Sequence, residues 1–143
     1  MTRARVGLLD TNTFILSGRL DQTLLPAQAM ISAVTLAELS AGPLVASTEA
    51  ERAARVAHVQ QAEADFDPLP FDADAARAFG QVTAALRSAG RKPAARTFDA
   101  MIAATAIAND LPLYTCNPHD FSGIRGLDVV AVPHPGAPAA AGS

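Results

Sequence analysis

The chain has no tryptophan, one tyrosine and six phenylalanines in 143 residues. With so few large rings, the core must close on aliphatic side chains and alanine, which implies closely packed helices. Cys116 is the single cysteine. An internal disulfide is therefore excluded, and a reducing compartment fits. The longest apolar stretch, around Ala100 to Ala108, is too short to cross a bilayer. No signal-peptide apolar region precedes the first predicted strand. These absences predict a soluble, cytoplasmic protein with no membrane partner.

Positive charge is also scarce. Eleven Lys and Arg face fourteen Asp and Glu, a formal net charge of -3. A protein that binds nucleic acid by bulk electrostatics is usually basic. Any nucleic-acid contact here must therefore rest on a local patch or a metal. Walker and Rossmann glycine patterns are missing, and no obvious nucleophilic Ser or Cys stands out. His58, His119 and His134 are scattered without ligand spacing.

What is present begins with an apolar run that stops at a carboxylate. Val6, Leu8 and Leu9 are nearly continuous, which suits a strand buried on both faces. Asp10, Thr11 and Asn12 follow at once. In an open parallel sheet the carboxyl ends of the strands face the ligand crevice. Asp10 is thus a candidate for chemistry, and equally a cap for the next helix.

Short strands then alternate with helices. Phe14 to Leu16 predicts a helical turn closed by Gly18. Met30 to Val34 predicts a second strand and Thr35 to Ala41 a helix, ended by a left-handed Gly42 before Pro43. Thr48 and Glu51 form a capping-box pattern ahead of a long helix. Asp67 to Phe71 is extended and broken by prolines. Asp72 caps a helix with a buried stripe of Ala75, Ala76, Phe79, Val82 and Leu86, and Gly90 ends it. Arg91 to Arg96 is a basic loop. Thr97 to Ala108 is a helix apolar on most sides, stopped by Asn109 and Asp110. Leu113 to Thr115 and Leu127 to Val132 are the last strands. The pattern implies a three-layer α/β/α sandwich with a mainly parallel sheet over residues 1–132. Residues 133–143, rich in Pro, Ala and Gly, predict a disordered tail.

Two further carboxylates stand in unusual company. Glu38 follows the second strand, and Thr35 with Glu38 fits a capping box, which would make it structural. Asp99 opens the apolar helix. A charge there needs a helix dipole, a cation or hydrogen bonds to hold it. Asn117 and Asp120 follow the third strand; each also suits a turn or a cap. Gathered in one pocket, Asp10, Glu38 and Asp99 would raise one another's pKa unless a cation intervened. A hard divalent ion suits carboxylate oxygens, organises phosphate oxygens and activates water.

Four blocks carry a resemblance. Leu8 to Asn12, Ile31 to Leu39, Phe98 to Ala106 and Leu113 to Phe121 resemble, in order and spacing, the signature blocks of PIN-domain ribonucleases, in particular VapC-type toxins of bacterial toxin–antitoxin pairs. The similarity runs from Val6 to Val132. It implies a PIN-like fold and an endoribonuclease dependent on Mg²⁺ or Mn²⁺, hydrolysing RNA phosphodiesters. It implies that Asp10, Glu38 and Asp99 are catalytic and bind metal, and that the position of Asn117 completes the set. Many members carry Asp where this chain has Asn117, so the site has one charge fewer; Asp120, directly before Phe121, is placed to compensate. Thr11 and Thr115, with Asn12 beside them, match supporting positions. A homodimer and a VapB-like antitoxin are implied as well.

Arg87, Arg91, Lys92 and Arg96 form the dense basic cluster and are candidates for RNA phosphate contacts, or else a solvated loop. Two rival readings remain. A phosphate-transfer enzyme with Asp10 as nucleophile would want a second Asp where Asn12 stands. A catalytically weak PIN-like module would bind RNA or protein without cutting.

Overall fold

The computed structural model describes residues 6–136; the predicted tail beyond Gly136 lies outside the described residues. Four strands form one parallel sheet: β1 (Val6–Leu9), β2 (Gln28–Met30), β3 (Leu113–Thr115) and β4 (Val129–Ala131), in the order β2-β1-β3-β4. Five α-helices surround it: α1 (Thr11–Leu16), α2 (Ala33–Ala41), α3 (Glu49–Asp65), α4 (Ala73–Ser88) and α5 (Thr97–Ala108).

Alternation along the short strands builds the layers. Leu8 and Leu113 pack on one face with Val82 and Leu86 of α4 and Ile102, Ala103 and Ala106 of α5. Leu9 and Tyr114 pack on the other with Phe14 of α1, Leu39 of α2 and Ala62 of α3. Helices thus cover both faces, and the fold is the three-layer α/β/α sandwich. Gly7 is needed in β1 because the Tyr114 ring lies over it: an added Cβ would sit 2.6 Å from Tyr114 Cε1.

The sheet order also places the site. From β1 the chain crosses to β2 on one side, and later to β3 and β4 on the other. The switch point lies between β1 and β3, and the crevice opens beyond their carboxyl ends. Asp10 and Asn117 stand at those ends.

Several local expectations need correction. The second strand ends at Met30, and α2 begins at Ala33. Its cap is Ser32, whose hydroxyl accepts from the Thr35 N–H at 3.1 Å, so Thr35 and Glu38 are not a capping box. Gly42 keeps a right-handed φ of -52° because the chain runs on into a 3-10 turn over Gly42–Val45. Ala76 is exposed, while Ala75, Phe79, Val82 and Leu86 face the core. The last strand is shorter than the predicted Leu127 to Val132. Among the described residues, no helix is long and apolar enough to cross a membrane.

Candidate functional site

Asp10 does two jobs at once. It caps α1, with Oδ1 accepting from the Thr13 N–H at 3.0 Å. Its Oδ2 accepts from the Thr115 hydroxyl at 2.7 Å. That hydroxyl in turn accepts from the Asn117 N–H at 2.9 Å. The carboxylate is 5% exposed, yet both oxygens are partnered, so its orientation is fixed by the ends of β1 and β3. Thr13 closes the frame: its hydroxyl accepts from the Cys116 N–H at 3.0 Å.

Glu38 projects from the second turn of α2. Thr11 donates to its Oε1 at 2.6 Å, and the same hydroxyl lies 3.0 Å from the Thr35 hydroxyl. Thr35 is fully buried, so the chain Ser32, Thr35, Thr11, Glu38 ties α1 to α2 through hydroxyls. Thr13 and Ser32 carry no role in the sequence reading, and Thr35 stands there as a cap and not as a link to Thr11; hydroxyls in or just before the first turn of a helix that follows a strand are the available signal.

Asp99 sits in the first turn of α5, with Asp120 facing it from the 3-10 turn Pro118–Phe121. Arg96 lies between them, with Nη1 2.6 Å from Asp120 Oδ1 and 3.8 Å from Asp99 Oδ2. Burial pushes the Asp99 carboxyl up to about 6, and the charges of Asp120, Asp10 and Glu38 push the same way; Arg96 pulls against them. Together, Asp10, Thr11, Asn12, Glu38, Asp99, Asn117 and Asp120 line one cavity of about 250 Å³. Four carboxylates there face one guanidinium.

These are hard oxygen donors carrying excess negative charge, so they fit a hard divalent cation. Burial and the neighbouring carboxylates raise the Asp99 carboxyl, and a bound cation would oppose that shift. Among the described residues, no three His, Cys, Asp or Glu side chains are already arranged to hold an ion. Closing the set therefore takes side-chain rotation. Asp10 is held by Thr13 and Thr115, Glu38 by Thr11 and Asp120 by Arg96.

The basic residues do not form one free patch. Arg91 is spent on the turn that carries Asp120: its guanidinium donates to the His119 carbonyl at 2.6 Å, the Asp120 carbonyl at 3.2 Å and the Ser122 hydroxyl at 2.9 Å. Arg96 is paired within the acid pocket. Lys92 is exposed, and Arg87 is exposed in the last turn of α4.

The PIN domain matches residues 8–127. The chain belongs to the PIN-domain family. It is 40% identical over 134 residues to ribonuclease VapC5 of Mycobacterium tuberculosis, covering 92% of this chain and 96% of that one. It is 32% identical over 105 residues to ribonuclease VapC1 of Rickettsia felis, covering 73% and 77%. Its fold superposes on the crystal structure of VapBC-5, a toxin–antitoxin system of M. tuberculosis, with a TM-score of 0.78 and 36% identity over 90% of this chain and 99% of that one. DNA-bound VapBC from Salmonella typhimurium gives a TM-score of 0.66 at 27% identity over 89% and 97%.

Proposed function

We propose that this PIN domain is a divalent-metal-dependent endoribonuclease and the toxin of a VapBC-type pair. The observation that carries the reading is the single cavity lined by Asp10, Glu38 and Asp99, which come from three separate segments of a chain whose relatives are named ribonucleases. The partners are RNA, the substrate class in the names of the related ribonucleases, and a VapB-like antitoxin, the other half of the related toxin–antitoxin complexes. A homodimer and a cytoplasmic location complete the reading.

Asp10, Glu38 and Asp99 would hold the ion, with Asn117 and Asp120 at its margin. Mg²⁺ or Mn²⁺ held there would supply Lewis-acid polarisation of the phosphate and a lowered pKa for a water. Asp10 keeps its orientation through Thr13 and Thr115, so this one ligand needs no reorganisation. Glu38, steadied by Thr11, orients the attacking water and accepts its proton. The water oxygen bonds to phosphorus as the bond to the leaving ribose oxygen breaks. Asn117 contributes a neutral oxygen where a fifth carboxylate would add charge, which favours one ion over two.

The test is purified protein with Mn²⁺ and single-stranded RNA. Cleavage that disappears in Asp10→Asn and Asp99→Asn supports the enzyme. RNA binding with no cleavage under any divalent ion would replace it with the binding-module reading.

A further inference from the structure

A second cavity, of about 480 Å³, opens beside the acid pocket and is lined by Glu38, Ala94, Arg96, Thr97, Phe98 and Asp99. Glu38 and Asp99 line both cavities, so they form the wall between them. Among the described residues, Phe98 is the one aromatic ring among the large exposed hydrophobic side chains, at 54% exposure. It occupies the second position of α5, a helix whose residues Ala100 and Ile102 to Ala106 are buried. The ring belongs to neither core cluster. Phe98 leaves an apolar ring face in water at the edge of the candidate active site.

We propose that Phe98 is a stacking platform for the unpaired nucleobase that flanks the scissile phosphate. The proposal rests on the ribonuclease reading above and names a subsite of that same site. Single-stranded RNA is recognised by stacking of splayed bases on aromatic faces. A phosphate and its adjoining base belong to one nucleotide, so a base site must open directly beside the phosphate site. The shared wall of Glu38 and Asp99 meets that requirement. Arg96, which lines the second cavity and pairs with Asp99 and Asp120, offsets part of the carboxylate charge and lowers the repulsion felt by an approaching polyanion. The second cavity has room for a flat base, which would leave the acid pocket open to the water that hydrolysis needs.

The test uses the full chain and a single-stranded RNA 20-mer whose cut site has been mapped with the wild-type protein. Abasic nucleotides are placed in turn on either side of the cut. Affinity is measured in an Asp10→Asn background so that the RNA stays whole. One abasic position should weaken binding about tenfold. Phe98→Ala should weaken binding to intact RNA by a similar factor and no longer respond to the lesion. Phe98→Leu, which keeps apolar volume, should behave like Phe98→Ala, and Phe98→Trp like wild type. Phe98→Ala that binds like wild type would overturn the platform. So would a variant that still feels the lesion in full, or one that becomes monomeric with unchanged lesion sensitivity, which would assign the ring to a protein interface. A wild-type protein that cuts no RNA in Mn²⁺ refutes the ribonuclease reading; one that cuts but ignores both lesions refutes the platform alone.

Discussion

Thr115 donates its hydroxyl to Asp10 Oδ2 at 2.7 Å, across 105 positions of sequence. The contact joins the carboxyl ends of the two central strands and leaves the buried carboxylate no freedom to turn. Removing the hydroxyl orphans an Asp10 oxygen and the Asn117 N–H together. Thr115→Val should therefore cost about 1–3 kcal/mol of stability and weaken Mn²⁺ binding, while Thr115→Ser should retain most of both. Thermal melts with titrated Mn²⁺ check this; a Thr115→Val protein as stable as wild type would show that the bond holds nothing in place.

Asp99 gives a dependence on pH with a definite sign. Its carboxyl titrates at about 6 in the fold, against an ordinary 3.8. Between those values the folded chain binds more protons than the unfolded one. Stability of the ion-free protein therefore rises as pH falls through 6 toward 4, as far as this group is concerned. Asp99→Asn should raise the melting temperature at pH 7.5 without divalent ion, and the gain should shrink toward pH 4. The side chain is about a third exposed, so screening trims the effect. Added Mn²⁺ should stabilise wild type at pH 7.5 far more than the variant. A variant less stable than wild type at pH 7.5 without ion would contradict this.

The amide at Asn117 can be tested by restoring the acid. Asn117→Asp adds a carboxylate to a pocket that already holds four. It should tighten Mn²⁺ binding, lower ion-free stability at neutral pH and lift the Asp99 carboxyl further. Calorimetric titration with Mn²⁺ reads the first effect; unchanged affinity would place residue 117 outside the ion's reach.

Glu38 separates orientation from charge. Glu38→Gln can still accept from Thr11 through its amide oxygen, so the fold should hold. Loss of the proton acceptor should cut the cleavage rate by about 100-fold or more. Single-turnover kinetics on the mapped RNA check it, and a loss under threefold would remove Glu38 from the proton transfer.

Much of this was legible in the sequence because it is local. A helix apolar on most sides with one early acid, Thr97–Ala108, reads as buried with a charge at its end. An apolar run that stops at Asp10 reads as a central strand. The boundary between β2 and α2 is hidden in the sequence because the apolar side chains of Ile31, Ala33 and Val34 run straight through the cap at Ser32. The hydroxyl links from Thr11 to Glu38 and from Thr115 to Asp10 join residues far apart in sequence, so no spacing rule exposes them. The basic stretch shows the same limit. Its charges are visible, but that Arg91 serves carbonyls of residues 119 and 120, and Arg96 a carboxylate at 120, depends on how the last turn folds back.

The most direct test is Mn²⁺ binding measured by calorimetry on wild type, Asp10→Asn, Glu38→Gln and Asp99→Asn, each confirmed folded. The wild-type protein should bind the ion, and each single substitution should weaken binding at least tenfold while abolishing or crippling RNA cleavage. Equal Mn²⁺ affinity in all four proteins would mean that these three acids do not share an ion.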